Sequence, residues 1–364
     1  MKAISTIFFF LFYACIAAFG QATDSAQIRK IANEILQHGE AYENLRYLCK
    51  KIGPRLSGSE NAQKAVLATA DMLRKAGADT VYLQPCMVPH WVRGAKETAY
   101  IQFDGENVRN LHACALGNSV GSGKAGISAA VVEVKSFDEL HRLGEAVIKG
   151  KIVFFNFEMN PTYIRTFRAY GESGIARRNG PAQAARYGAI GVMVRSLASN
   201  ADDYPHTGGT QYNDSFPKIP AIAISTNDAN WLNAELAKKK PMTAYIKTNC
   251  EMLHDEPSFN VIGEIRGSRI PGEIITVGGH IDSWDLAEGA HDDGAGCVQA
   301  IEIIRAYASL HIRPVRTIRA VMFMNEENGG RGADAYLEAA TKKKEKHLFA
   351  LESDAGGFTP RGIS

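Results

Sequence analysis

Four short clusters in this chain carry residue types that can do chemistry together. They are Gly279-His280-Ile281-Asp282-Ser283, then Asp292-Asp293-Gly294, then Glu326-Glu327, then Glu352-Ser353-Asp354. Imidazole nitrogen and carboxylate oxygen are the usual donors to a hydrolytic Zn²⁺ that keeps one position open for water. One carboxylate can bridge two such ions ~3.5–4 Å apart. Another, left off the metal, can accept a proton from the attacking water. Alone, a histidine is usually structural and a Glu-Glu pair usually solvated. Asp282 lies two residues past His280, better placed to orient that imidazole than to bind metal itself.

The signal lies in where the clusters fall. Ile274-Ile275-Thr276-Val277 reads as a strand of a buried parallel sheet. Residues 297–310 read as a helix, with Val298, Ile301, Ile304 and Ala308 at helical spacing. Residues 317–324 read as a strand, 333–342 as a helix and 348–351 as a strand. His280, Glu326 with Glu327, and Asp354 each follow one of these strands. Open α/β sheets gather ligands at the carboxyl ends of their strands.

The remainder supports that frame. Residues 25–50 read as an amphipathic helix with Ile28, Ile31 and Ile35 on one face. A second helix starts near Ser59, with Ser57 and Glu60 at capping-box spacing and Gly77 as its stop. Strands are expected at 81–83 and 98–103. Residues 123–248 change character: strands at 151–155, 188–194 and 218–224, a helix at 183–187, and polar loops between them. That stretch holds no clustered ligand set and reads as an inserted, mostly β domain. The expected layout is a signal peptide at 1–20, a first part of the main domain at 21–122, the insert at 123–248 and the metal-binding part at 249–364.

Composition narrows the class. The chain has 364 residues, 45% of them hydrophobic, and a formal net charge of +2. Nothing here argues for a nucleic-acid partner. Lys2, the apolar run from Ile4 to Ala18, and Ala18-Phe19-Gly20 make a signal peptide cleaved after Gly20. No later segment is apolar for 18 residues, so no membrane association is expected after cleavage. The expected location is secreted or periplasmic, or an endomembrane lumen such as the lysosome in a eukaryote. Cys49, Cys86, Cys114, Cys250 and Cys297 remain after cleavage, without a CxxC, so one disulfide is possible in an exported protein and at least one thiol is expected to be unpaired.

These motifs resemble the M28 family of metallopeptidases, and within it the carboxypeptidase Q subgroup. The resemblance rests on Gly279 to Asp285, Asp292-Asp293-Gly294, Glu326-Glu327 and Glu352-Ser353-Asp354-Ala355-Gly356. Arg55-Leu56-Ser57-Gly58-Ser59 resembles the early Gly-Ser helix start of the family. The resemblance implies a mixed-sheet α/β/α zinc-peptidase domain with an inserted β-rich protease-associated domain. It implies two Zn²⁺, with His280 and Asp354 on one, Glu327 on the other and Asp292 bridging. Glu326 is then the general base, Asp293 supports the bridge through a non-proline cis peptide, and Asp282 sits behind the ligands. Short peptides or dipeptides with free termini are the implied substrates, and a homodimer the implied assembly. His291 and Trp284 are expected to line the pocket, and the His206-Thr207-Gly208 segment either faces the cleft or makes a plain turn.

The family pattern also includes a histidine well downstream of the last aspartate. No histidine follows Asp354 here, so the sequence is expected to be part of a longer gene product. Three rivals follow: a glutaminyl cyclase with one zinc, a catalytically impaired binding protein on the same scaffold, and a zinc-dependent deacylase. The retained His280 argues against the cyclase, and intact Glu326 against the impaired protein.

Overall fold

A mixed sheet organises the part of the chain that holds the clusters. The computed structural model describes residues 24–103, 108–354 and 356–359. The expected signal peptide at 1–20 and Ala355 lie outside these described residues. Five strands form the sheet: β1 (Thr80–Val88), β2 (Glu256–Ile265), β3 (Ile270–His280), β4 (Arg316–Phe323) and β5 (Lys346–Glu352). Their order is β1-β2-β4-β3-β5. β1, β2 and β4 are joined antiparallel. β3 runs parallel to both β4 and β5.

Alternation along β4 shows how the layers stack. Ile318, Ala320 and Met322 enter a core shared with α1 (Glu60–Lys75) and α2 (Ala295–Ser309). The intervening Arg319 and Phe323 meet Tyr336 of α3 (Arg331–Lys343) on the opposite face. Helices therefore cover both faces, as the α/β/α expectation requires. Val298, Ile301 and Ile304 of α2 are at most 3% exposed. Each such side chain contributes ~1.5–3 kcal/mol by leaving water. The Ser59 hydroxyl caps α1 by accepting the Ala62 N–H at 3.1 Å, so the cap is Ser59 and not the expected Ser57. Ser57 points into a buried polar cluster described below.

The expected helix over 25–50 is broken. Residues 24–38 are helical, and a separate helix covers Ala41–Tyr47. Ile31 and Ile35 are half-buried, while Ile28 is exposed.

The second sheet has eight strands. In spatial order they are Val108–Asn110, Thr98–Gln102, Thr243–Lys247, Ile127–Val134, Ile152–Phe155, Gly191–Arg195, Ala221–Ile224 and Ala113–Ala115. Thr98–Gln102 pairs antiparallel with Thr243–Lys247. The sheet therefore recruits residues well before 123, where the insert was expected to begin. Its centre is parallel and fully buried at Ile152–Phe155 and Ala221–Ile224. Helices Phe137–Ile148, Thr166–Ala185 and Thr226–Ala237 join its strands. It is α/β in character rather than mostly β, because parallel neighbours need crossover helices. A two-stranded ribbon, Trp91–Val92 with Glu251–Met252, stands where the chain passes between the sheets.

Cys49, Cys86, Cys114, Cys250 and Cys297 are all buried free thiols. Among the described residues no helix is long and apolar enough to cross a membrane.

Candidate metal centre

Parallel β3, β4 and β5 end at the same edge of their sheet, and this brings the clusters together. His280 is the last residue of β3 and pairs in register with Phe323 of β4. Gly278, two residues earlier, pairs with Glu352 of β5. The His280 side chain is fully buried, and its Nε2 lies 2.9 Å from Asp292 Oδ1 and 3.2 Å from Asp354 Oδ1. Glu326 Oε2 is 3.9 Å from the same nitrogen. His280, Asp292 and Glu327 can place one ligand atom each within 4.8 Å of one another. His280, Asp293 and Asp354 form a second such group. All four expected metal ligands thus meet at one point, with Glu326 beside them. Among the described residues no second histidine belongs to either group.

Asp293 is held differently from its neighbour. The Asp292–Asp293 peptide bond is cis. The Asp293 side chain accepts the His280 N–H at 2.9 Å on one oxygen and the Gly296 N–H at 2.9 Å on the other. Gly279 makes room for it, since a Cβ there would collide with the Asp293 carboxylate. Asp293 therefore anchors the turn that presents Asp292.

Asp282 departs from its expected task. His280 Nδ1 lies 3.1 Å from the Asp282 backbone carbonyl, but 3.8 Å from its carboxylate. That carboxylate accepts the backbone N–H of Glu326 at 3.0 Å and of Glu327 at 3.3 Å. The Asp282 main chain thus orients the imidazole, and its side chain fixes the Glu pair. Asn325 turns the chain into that pair with φ 71°. Its amide donates to Ser57 Oγ at 2.9 Å and Asn328 Oδ1 at 2.7 Å.

Two buried arginines hold the adjoining loops, Arg55, which entered the sequence reading only as the start of its motif, and Arg93, which did not enter it. Arg55 is fully buried and donates to the carbonyls of Ile281 at 2.6 Å, Glu288 at 2.8 Å and Gly289 at 2.7 Å. Arg93, also buried, binds Asp285 through Nε at 2.6 Å and Nη2 at 2.7 Å. Their one legible signal was a cation amid apolar neighbours, which alone names no partner.

The electrostatics ask for a cation. Among the described residues no lysine or arginine pairs with Asp282, Asp292, Glu326, Glu327 or Asp354. Burial pushes Glu327 up to about 9, helped by the Asp292 and Asp282 charges. Burial also pushes Asp293 up to about 8 against the pull of His280, and raises Glu326. Burial disfavours a charged His280, but the Asp282, Asp292 and Asp354 carboxylates outweigh it and hold the imidazole well above its usual range. Crowded carboxylates with only one imidazole between them fit a divalent ion.

The cluster opens into a cavity of about 840 Å³. Asp292, Glu326, Glu327 and Asp354 line one side, with Trp284 and His291. His206, Thr207 and Gly208 of the second sheet line it as well, so that segment faces the cleft. His254 and His311 are exposed, as expected. His347 is half-buried and bonds to Thr276 and Glu345, away from the cluster.

Comparison with known proteins agrees with this arrangement. Residues 260–364 match the model of peptidase family M28. Carboxypeptidase Q of Bos taurus is 32% identical, across 95% of this chain and 75% of its own length. The chain belongs to peptidase family M28. Carboxypeptidase Q of Homo sapiens is 36% identical across 89% of this chain, which spans 66% of the human protein. A peptidase M28 precursor from Shewanella amazonensis SB2B superposes with a TM-score of 0.85 at 34% identity, covering 90% of this chain and 73% of its own. A zinc aminopeptidase from Bacillus subtilis shares the fold at a TM-score of 0.60 and 22% identity, covering 85% of this chain and 67% of its own. The M28 enzyme class is metallo-exopeptidase.

Proposed function

We propose that the chain is an exported, zinc-dependent exopeptidase that cleaves short peptides, with Glu326 as general base. The observation that carries this reading is the meeting of His280, Asp292, Glu327 and Asp354 at the floor of a cavity, with Glu326 beside them. The names of its relatives support it: carboxypeptidase Q on one side, an aminopeptidase of Bacillus subtilis on the other. In this reading His280, Asp292 and Asp354 hold one Zn²⁺, and Asp292 with Glu327 holds a second. Asp293 stays out of the ligand set because both its oxygens are engaged by backbone N–H groups. The second sheet is then a protease-associated domain that walls the cleft.

Bound zinc supplies Lewis acidity toward water and the peptide carbonyl. The chain supplies the rest. Glu326 belongs to neither ligand group and its side chain is 50% exposed. Its raised pKa suits it to take a proton from water and return it to the departing amine. Asp282 holds the Glu326 and Glu327 backbones in place for both tasks. The narrow, two-walled cavity admits a chain end and excludes folded proteins.

Metal analysis with dipeptide hydrolysis, beside a Glu326→Gln variant, tests this. Zinc uptake with Glu326-dependent cleavage supports the reading. Zinc uptake without cleavage supports a second one, an M28-fold binding protein with impaired catalysis.

A further inference from the structure

We propose that Arg177 reads the free C-terminal carboxylate of the peptide and so decides which substrates fit. This rests on the exopeptidase reading and deepens it. The cavity has two walls of opposite charge. One carries Asp292, Glu326, Glu327 and Asp354, and the other carries Arg177 and Arg178 of helix Thr166–Ala185 and the loop residue His206. Arg177 is half-buried, yet no carboxylate among the described residues pairs with it. Its Nη1 donates to the Thr207 carbonyl at 3.2 Å and its Nη2 to the Tyr170 hydroxyl at 2.6 Å. Its Nε is buried without any hydrogen-bond partner. A guanidinium with no counter-charge and with its Nε unmatched is unfavourable until a ligand supplies the charge and a further acceptor. A carboxylate does both, with geometry that matches the guanidinium fork. A peptide ammonium would be repelled here and attracted to the opposite wall.

The two walls are tied together. Arg93 Nη2 donates to Thr207 Oγ1 at 3.2 Å and to Asp285 Oδ1 at 2.7 Å. Asp285 follows Trp284, whose N–H donates to Glu327 Oε1 at 3.2 Å. One buried guanidinium therefore links the loop that supports Arg177 to the loop that supports Glu327. The spacing between carboxylate reader and metal cluster is thereby held, and it acts as a ruler for short peptides.

Calorimetric titration of the full chain carrying Glu326→Gln, with and without zinc, tests this apart from turnover. The probes are Ala-Ala, its C-terminal amide, and Ala-Glu-amide, which offers only a side-chain carboxylate. The expected result is ~10-fold or tighter binding of Ala-Ala over both amides. Arg177→Met should erase that gap and leave amide affinity unchanged, while Arg177→Lys restores part of it. Equal binding of acid and amide, no binding of any probe, or equal weakening of all probes by Arg177→Met overturns the proposal. Ala-Glu-amide matching Ala-Ala overturns the C-terminal assignment. Discrimination that persists while the parent chain hydrolyses nothing sinks the exopeptidase reading alone.

Discussion

The Asp282 carboxylate accepts the Glu326 backbone N–H at 3.0 Å from a fully buried position. Its second oxygen takes the Glu327 N–H at 3.3 Å. One carboxylate at the end of β3 thus sets both residues that follow β4. Asp282→Asn turns one of these oxygens into a donor that faces a donor. Zinc affinity should fall ~10–100-fold, as for other residues that orient ligands. Competition with a chelator measures it, and unchanged affinity would remove Asp282 from the design.

Glu326→Gln keeps the shape of the side chain and removes its basicity. Peptide hydrolysis should fall by ~10²–10⁴ while zinc content stays constant. Loss of zinc in this variant would instead make Glu326 a ligand. Metal analysis of the purified variant decides between them.

Zinc binding should depend on pH in a definite sense. Burial lifts Glu327 to about 9, so below that pH the metal-free side chain holds a proton. Zinc must displace this proton to gain the oxygen. Affinity is therefore expected to rise as pH increases from 7 through about 9, with proton release on binding. Titrations in two buffers of different ionisation enthalpy read that release directly. Glu327→Gln should reduce it.

A second pH effect lies at the N-terminal helix. Glu34 accepts hydrogen bonds from Arg305 Nη1 and Ser309 Oγ, each at 2.8 Å, and these hold its carboxyl at about 2. An unfolded glutamate titrates near ~4.3. The stabilisation is thus fully present above ~4.3 and disappears as pH falls through about 2. Hydrogen exchange over residues 24–38 should accelerate across that window, and Glu34→Gln should already show fast exchange at pH 7.

Asp285→Ala leaves the buried Arg93 guanidinium with Glu97 as its remaining carboxylate, 3.1 Å from Nη1. A loss of ~1.5–3 kcal/mol is expected, the usual result of removing hydrogen bonds to a charged group while one counter-charge stays. The triple change Arg93→Met, Glu97→Gln and Asp285→Leu should recover much of that stability by removing all three charges. It should not recover selectivity for free carboxylates, because the tie between the cavity walls is gone. Denaturant melts and the binding assay separate these two effects.

The sequence by itself determined which residues gather at the candidate metal centre. His280, Glu326, Glu327 and Asp354 were legible because each follows an apolar strand, and parallel strands end on one edge. Helix α2 was legible for the same local reason, since the spacing of Val298, Ile301 and Ile304 is written within a single element. Only tertiary structure decided the rest. The pairing of Thr98–Gln102 with Thr243–Lys247 joins segments far apart in the chain, and no local periodicity encodes that choice. The grip of Arg93 on Asp285 spans 192 positions, and on Thr207 114. Nothing in the sequence around Arg177 marked it, and only packing placed it in the cavity without a counter-charge. Asp282 was correctly placed beside His280, but the direction of its carboxylate depended on where β4 delivered Glu326. Spacing within an element fixes which residues share a face, whereas contacts between distant elements are settled by packing and charge once the sheets have formed.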